Sequence, residues 1–227
     1  MIVAIDGPAG AGKSTVAKIL AKKLGFLYID TGAMYRALTL KILDEKIDIK
    51  ATPRIIDIAS QTNIDLINNP DGSLKVLLDG RDVTCQIREP LVTKFVSDIA
   101  KIKGVREVML KLQRRFAKQN CVLDGRDIGT VVFPDADKKF YIDADFKERV
   151  RRRHKELKDL GQNVTLSDIE SDLHNRDTID STREFAPLKK ADDAVYIDTT
   201  KMSIDEVVER VLKEIQVKSQ IPNPKSQ

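Results

Sequence analysis

Tryptophan is absent from this sequence, aromatic residues reach only 5%, and cysteine and histidine occur twice each. Cys85 and Cys121 are too few for a disulfide framework and, with His154 and His174, lack the spacing of a metal site, so both cysteines read as structural. No apolar run is long enough to cross a bilayer, which leaves no membrane-spanning helix to expect. The apolar start Met1 to Ile5 has no basic leading region and meets Asp6 at once. It reads as a buried strand and not a signal peptide, and the expected location is the cytoplasm. Charge of one sign is also lacking: 39 Lys and Arg stand against 35 Asp and Glu, and a net +4 is too mild to imply a nucleic-acid partner by itself. What is present, 41% apolar and 33% charged residues over 227 positions, is the composition of a globular protein with one core and sizeable insertions.

Short apolar runs at Ile2-Ile5, Phe26-Ile29, Cys121-Leu123, Lys139-Ile142 and Ala194-Ile197 alternate with longer stretches of helical periodicity. That alternation predicts an α/β fold with a five-stranded parallel sheet flanked by helices. One interval breaks the rhythm. Asn63-Ile67, Leu74-Leu78 and Arg81-Val83 are strand-like, and Asp71-Gly72 and Asp79-Gly80 punctuate them, so a small antiparallel meander is expected near 63–83. A second interruption, from Arg149 to about Arg183, reads as two helices joined near Gly161-Gln162-Asn163. Its interspersed charges fit a solvated face as well as a functional one. The stretch from Val217, with Pro222 and Pro224, reads as a disordered tail.

Gly7-Pro8-Ala9-Gly10-Ala11-Gly12-Lys13-Ser14 matches G-x-x-x-x-G-K-[ST] at every defined position, directly after a strand and before an amphipathic segment carrying Val16, Ile19, Leu20 and Leu24. Its glycines let the backbone curl with N–H groups turned inward, which with the helix N-terminus makes a phosphate site. Lys13 is expected to reach the β and γ phosphates of a nucleoside triphosphate, Ser14 to ligate Mg²⁺, and Thr15 to bind the α-phosphate. This loop alone does not separate small-molecule kinases from GTPases or motors. No N-K-x-D-like motif is present for guanine, and a helicase or motor would need more chain.

The acceptor side is written in two places. Asp30-Thr31-Gly32-Ala33-Met34-Tyr35-Arg36 follows the second strand, at the edge of an open sheet where ligands bind. Asp30 and Thr31 could equally cap the next helix. Asp124-Gly125-Arg126-Asp127 ends the third core strand. Asp124 suits a role toward Mg²⁺ or its waters, or a structural turn, and Arg126 suits a bidentate grip on an acceptor phosphate.

Taken together, Gly7–Ser14, Asp30 to Arg36, Asp124 to Pro134 and Arg176-Asp177…Asp180…Arg183…Ala186-Pro187-Leu188 resemble bacterial cytidylate kinases over nearly the whole chain, to about Val211. The meander fits that family's enlarged monophosphate-binding insert, which adenylate kinases lack. The resemblance implies a core at 1–31, 104–148 and 185–216, an insert at 32–103, a lid at 149–184 and a tail at 217–227. It implies that Thr31, Arg36, Arg126, Arg176 and Asp180 face the phosphate and sugar of CMP or dCMP, that Ser97, Arg106 and Asp127 read the cytosine edge, and that Tyr35 walls the pocket. Thr31 stands where the family often has Ser, and the hydroxyl survives. Ser97 taken alone could be an ordinary surface serine of the helical run Pro90-Lys103.

The implied activity is transfer of the γ-phosphate of ATP, with Mg²⁺, to CMP or dCMP. Lys13, Arg126, Arg183 and Arg152 are its expected catalytic residues, and Arg149, Arg152 and Arg153 the lid arginines. No nucleic-acid or membrane partner is expected, and the chain is expected to act as a monomer. The competing readings are a P-loop kinase for UMP, AMP or shikimate and a nucleotide-responsive RNA-binding protein. The scarcity of aromatic residues argues against the latter.

Overall fold

The computed structural model describes residues 1–116, 119–159 and 161–219, with side chains to 216. Strands β1 (Ile2–Asp6), β2 (Leu27–Asp30), β6 (Cys121–Asp124), β7 (Lys138–Asp143) and β8 (Val195–Asp198) form one parallel sheet in the order β2-β6-β1-β7-β8. Each run is apolar because both faces of a parallel sheet are covered. Ala4, Ile29 and Leu123 point into one core cluster, while Val3, Ile5, Val122, Phe140 and Ile142 point into the other.

Helices α1 (Lys13–Leu24) and α8 (Ile204–Ser219) cover the second face, burying Val16, Ala17, Leu20 and Ala21 from α1 and Val207, Val208, Val211 and Ile215 from α8. Residues 217–219, expected in a tail, belong to α8 instead; the remainder of that expectation lies outside the described residues.

Between β2 and β6 the chain makes α2 (Thr31–Asp44), α3 (Thr52–Gln61), strands β3 (Ile64–Asn68), β4 (Leu74–Leu78) and β5 (Arg81–Asp82), then α4 (Pro90–Ala100) and α5 (Lys103–Phe116). The three short strands are the antiparallel meander read from the sequence, in the order β3-β4-β5. Leu78 pairs with Arg81 across a two-residue turn in which Asp79 and Gly80 both have positive φ (49° and 83°). That is the turn Asp-Gly favours, since its twist matches the strands. The insert shares a continuous core with the sheet, running from Ala4 and Ile29 through Met34 and Leu38 to Ile64, Val76 and Ile99.

After β7, α6 (Phe146–Asp159) and α7 (Leu166–Thr182) form the helical pair expected over 149–183. Val150, Leu157, Ile169 and Leu173 give the pair a small core, into which Ala9 of the phosphate loop also packs. A Thr165–Asp168 capping box fixes the start of α7. Among the described residues, no helix is long and apolar enough to cross a membrane.

Every strand of the parallel sheet ends on an aspartate: Asp6, Asp30, Asp124, Asp143 and Asp198. The carboxyl edge is thus a rim of acceptors that fixes the loops above it.

Candidate active site

The phosphate loop leaves β1 at Gly7, whose φ is +144°, and a Cβ there would lie 1.9 Å from the Ile142 carbonyl oxygen. Only glycine fits. The loop ends in α1, where Lys13 is 5% exposed and its Nζ donates to the Pro8 carbonyl at 2.6 Å. Burial, and then the positive charge of Arg126, lower the pKa of Lys13. Without an anion this ammonium is held by its own loop, and an arriving phosphate supplies the charge it lacks.

Ser14 Oγ donates to Asp124 Oδ2 at 2.6 Å, and the phenol of Tyr28 donates to Asp124 Oδ1 at 2.9 Å. Burial, reinforced by nearby Asp30, pushes the pKa of Asp124 up to about 6. Among the described residues no three His, Cys, Asp or Glu side chains gather as a metal cluster. A cation at this position would draw one hydroxyl and one carboxylate from the protein and its other ligands from phosphate oxygens and water. That donor set suits Mg²⁺, which keeps its waters.

Beyond Asp124 lies a second, basic cluster. Arg126 Nε donates to Asp180 Oδ2 at 2.8 Å, and Asp180 Oδ1 lies 3.1 Å from Arg183 Nη1. Arg183 Nη2 stands 3.6 Å from Asp127 Oδ1, and Asp127 Oδ2 pairs with Arg106 Nη2 at 2.6 Å. Charges therefore alternate along Arg126–Asp180–Arg183–Asp127–Arg106. Burial opposes ionisation of Asp180, but Arg126 and Arg183 prevail and hold it below the usual carboxylate range. The Arg106 guanidinium also lies over the Tyr35 ring, 5.3 Å from its centroid.

Arg36, on α2, donates to Thr93 Oγ1 at 2.8 Å and to the Ile87 carbonyl at 3.2 Å. Burial, with the like charges of Arg176, Arg88 and Arg153, lowers its pKa to about 9, so this end of the site has excess positive charge. Four buried N–H groups here have no hydrogen-bond partner: Nε of Arg106, Arg153 and Arg176, and Nη2 of Arg183. Leaving such donors unmet costs about 1–3 kcal/mol each, a debt that an anion would settle.

The remaining expected residues fall as follows. Asp30 is the cap of α2, accepting from Ala33 N at 2.8 Å, and its second oxygen takes Arg88 at 3.0 Å. Thr31 Oγ1 donates to the Asp124 carbonyl at 2.7 Å, joining the start of α2 to β6. Ser97 is buried on α4 and is no surface serine. Arg149 is committed to the loop: it donates to the Ala9 and Ala144 carbonyls and to Asp177, which itself accepts from Ala9 N. Arg152 is held by Glu148 and by Thr199 Oγ1 and O. Arg153 pairs with Glu156 at 2.8 Å, and Arg176 lies 3.8 Å from Asp172.

One cleft of about 750 Å³ takes in both ends, lined by Ala9 to Thr15 of the phosphate loop and by Thr31, Tyr35, Arg36, Ser97, Arg106, Arg126, Asp127, Arg176, Asp180 and Arg183. Asp124, Arg152 and Arg153 also line it; Gly7, Pro8 and Arg149 do not.

Sequence reasoning passed over Asp6, Tyr28, Arg88, Asp177 and Thr199. Asp6 accepts from the backbone N–H groups of Ile128 (2.8 Å) and Gly129 (2.7 Å), fixing the π-helical turn Ile128–Val132 that follows Asp127. Its signal was available, a carboxylate closing an apolar strand, but its partners lie more than a hundred residues away. Burial raises the pKa of Asp6 to about 6 from the ordinary 3.8. A raised carboxyl pKa stabilises the fold below the unfolded value and loses that contribution as pH climbs through the folded one. Asp6→Asn should therefore remove a stability loss of about 3 kcal/mol between pH 4 and 7. It should also lower stability at acid pH, because an amide oxygen cannot serve both N–H groups fully. Denaturant titrations across that range, with an unchanged pH slope in the variant as the opposing result, check it.

A cytidylate kinase family model matches residues 3–217. The chain is 51% identical over 214 residues to the cytidylate kinase of Caldanaerobacter subterraneus subsp. tengcongensis, covering 94% of this chain and 93% of that one. It is 53% identical over 211 residues to the cytidylate kinase of Desulforamulus reducens, covering 92% and 94%. Among solved structures, an uncharacterized protein from Eubacterium ventriosum superposes with a TM-score of 0.52 at 16% identity over 95% of this chain and 98% of that one, a likeness of fold alone. With the P-loop and a basic second cluster opening on one cleft, and relatives matched over nearly their full length, the chain belongs to the cytidylate kinase family.

Proposed function

We propose that this chain transfers the γ-phosphate of ATP to CMP or dCMP, giving ADP and CDP or dCDP. The observation that carries this reading is the set of four buried, unmet guanidinium N–H groups lining the same cleft as the phosphate loop. One anion, the donor triphosphate, suits Gly7–Ser14 and Arg153; a second phosphate satisfies Arg176 and Arg183, and the base of the acceptor meets Arg106.

An oxygen of the acceptor phosphate attacks the γ-phosphorus, a new P–O bond forms, and the bond to the β–γ bridging oxygen breaks with its electron pair leaving on ADP. The acceptor oxygen needs no general base, so the protein's work is placement and charge. Lys13 leaves the Pro8 carbonyl for the β and γ oxygens, and Thr15 takes the α-phosphate. Ser14 and Asp124, directly or through water, would hold Mg²⁺, which supplies charge neutralisation across the phosphates when bound. Arg126, Arg183 and Arg36, with Arg176 and Asp180, bring the acceptor into line, and Thr31 and Tyr35 bound its pocket.

Cytosine presents an amino donor beside two acceptors. The Arg106–Asp127 pair and Ser97 offer both hydrogen-bond senses, and uracil would leave one group unpaired. In this reading 32–103 receives the monophosphate, 149–184 closes over ATP with Arg149, Arg152 and Arg153, and 1–31, 104–148 and 185–216 form the core. The residues proposed for both substrates line one chain's cleft, in keeping with a monomer, and its substrates suit the cytoplasm.

Initial rates on CMP, dCMP, UMP, AMP and shikimate test the assignment. CMP and dCMP are expected to lead, and a preference for any other acceptor overturns it. Because CMP meets unpaired buried donors, it should also raise the melting temperature. At a hundredfold excess over its Kd the gain is about 2.7 kcal/mol, or about 5–11 °C for a chain of this size. UMP at the same concentration should give less.

A further inference from the structure

We propose that Tyr28 is a positioning residue for the cation end of the site, setting Asp124 and Ser14 in place from behind, and that Asn68 locks Tyr28 from outside. The proposal rests on the Mg²⁺ reading given above. Tyr28 is 5% exposed within the core cluster beneath α1 and does not line the cleft, so it touches neither substrate. Its hydroxyl nonetheless donates to Asp124 Oδ1 at 2.9 Å, while Ser14 donates to Asp124 Oδ2 at 2.6 Å. The two donors approach the carboxylate from opposite oxygens. Removing the phenol's would free the Asp124 group to rotate about its χ2, a soft torsion, and carry Ser14 with it.

The backbone of Tyr28 is held in turn. β2 is an edge strand with no ladder partner on its outer side. There, at the end of β3, Asn68 accepts from Tyr28 N at 3.0 Å and donates to Tyr28 O at 3.0 Å. One side-chain amide thus replaces a strand's pairing. A second tie, Lys22 Nζ to the Asp71 carbonyl at 3.3 Å, joins α1 to the adjacent loop. The meander is therefore pinned to the core sheet behind the phosphate loop, and the path from it to the cation end runs Asn68–Tyr28–Asp124–Ser14. Outer hydrogen bonds to a ligating carboxylate orient it, and losing one typically costs about 10–100-fold in metal affinity.

The test is calorimetric titration of ADP into the full chain and its Tyr28→Phe variant, with and without Mg²⁺. Metal-free ADP affinity should stay within about twofold, and the Mg²⁺-dependent gain should fall about tenfold. The Mg²⁺ needed for half-maximal rate should rise in parallel, and KM for CMP should hold. Asn68→Ala leaves every side chain around Asp124 in place and should shift the same gain by a smaller factor; it decides the matter should the Phe variant unfold. An undiminished gain in the variants, or a loss equal with and without metal, overturns the proposal. If the unaltered chain itself shows no Mg²⁺-dependent gain, the Mg²⁺ reading fails and this proposal with it; a gain in the unaltered chain that the variants share fails this proposal alone.

Discussion

Lys13→Ala is expected to lower kcat by about 10³-fold while the melting temperature stays within a few degrees. The two halves of that result have separate causes. In the folded chain the ammonium is 5% exposed, and its partner is a carbonyl of its own loop. Burial and Arg126 make its charged form costly, so deleting it removes a strained cation and a single hydrogen bond, and these nearly cancel. The sign agrees with linkage: a lysine whose folded pKa is lowered loses stability as pH falls through that value. In the loaded site the same ammonium faces charge that grows on the β–γ bridging oxygen, and no neighbour can replace it, since Arg126 is committed to Asp180 and to the Gly125 carbonyl. Steady-state rates at saturating ATP and CMP, with a thermal melt, measure both halves. Near-normal turnover, or collapse of the fold, would contradict the role.

The local devices were legible in the sequence because each is encoded within a few residues. Ile2 to Asp6 followed by Gly7–Ser14 dictates strand, loop and helix through backbone geometry. Asp79-Gly80 dictates its turn because few other pairs hold two positive φ angles. Pairings across the chain were not legible. The run Arg149 to Arg153 reads as uniform charge, yet the helical turn sends Arg149 to the Ala9 carbonyl and Asp177, Arg151 to Glu148, and Arg152 to Thr199. The partners Asp177 and Thr199 lie on α7 and just past β8, elements placed only by the fold, while Glu148 is a neighbour on α6 itself. Asn68 was hidden for another reason: a turn-rich stretch around Asn69-Pro70-Asp71-Gly72 makes any asparagine there look like part of a loop. Its two hydrogen bonds with the Tyr28 backbone exist only because the meander lands on the sheet's free edge.

Arg126→Ala is expected to reduce kcat/KM for CMP by about 10²–10³-fold, about 2.7–4 kcal/mol of transition-state stabilisation, with KM for ATP little changed. Asp180 takes Nε at 2.8 Å and the Gly125 carbonyl takes Nη1 at 3.3 Å. The plane of the guanidinium is thereby fixed, leaving Nη2 for an acceptor oxygen. Arg126 also depresses the proton affinity of Lys13, so its charge is felt at the donor end as well as at the acceptor end. A group with that reach should affect kcat and KM for CMP together. Arg126→Lys separates charge from shape: an ammonium restores the point charge but cannot bond Asp180 and phosphate in one plane, so it should recover only a minor part of the loss. Full recovery in the Lys variant would mean that net positive charge suffices here. A loss confined to KM for ATP would place Arg126 with the donor and break the division of the cleft into a triphosphate end and an acceptor end.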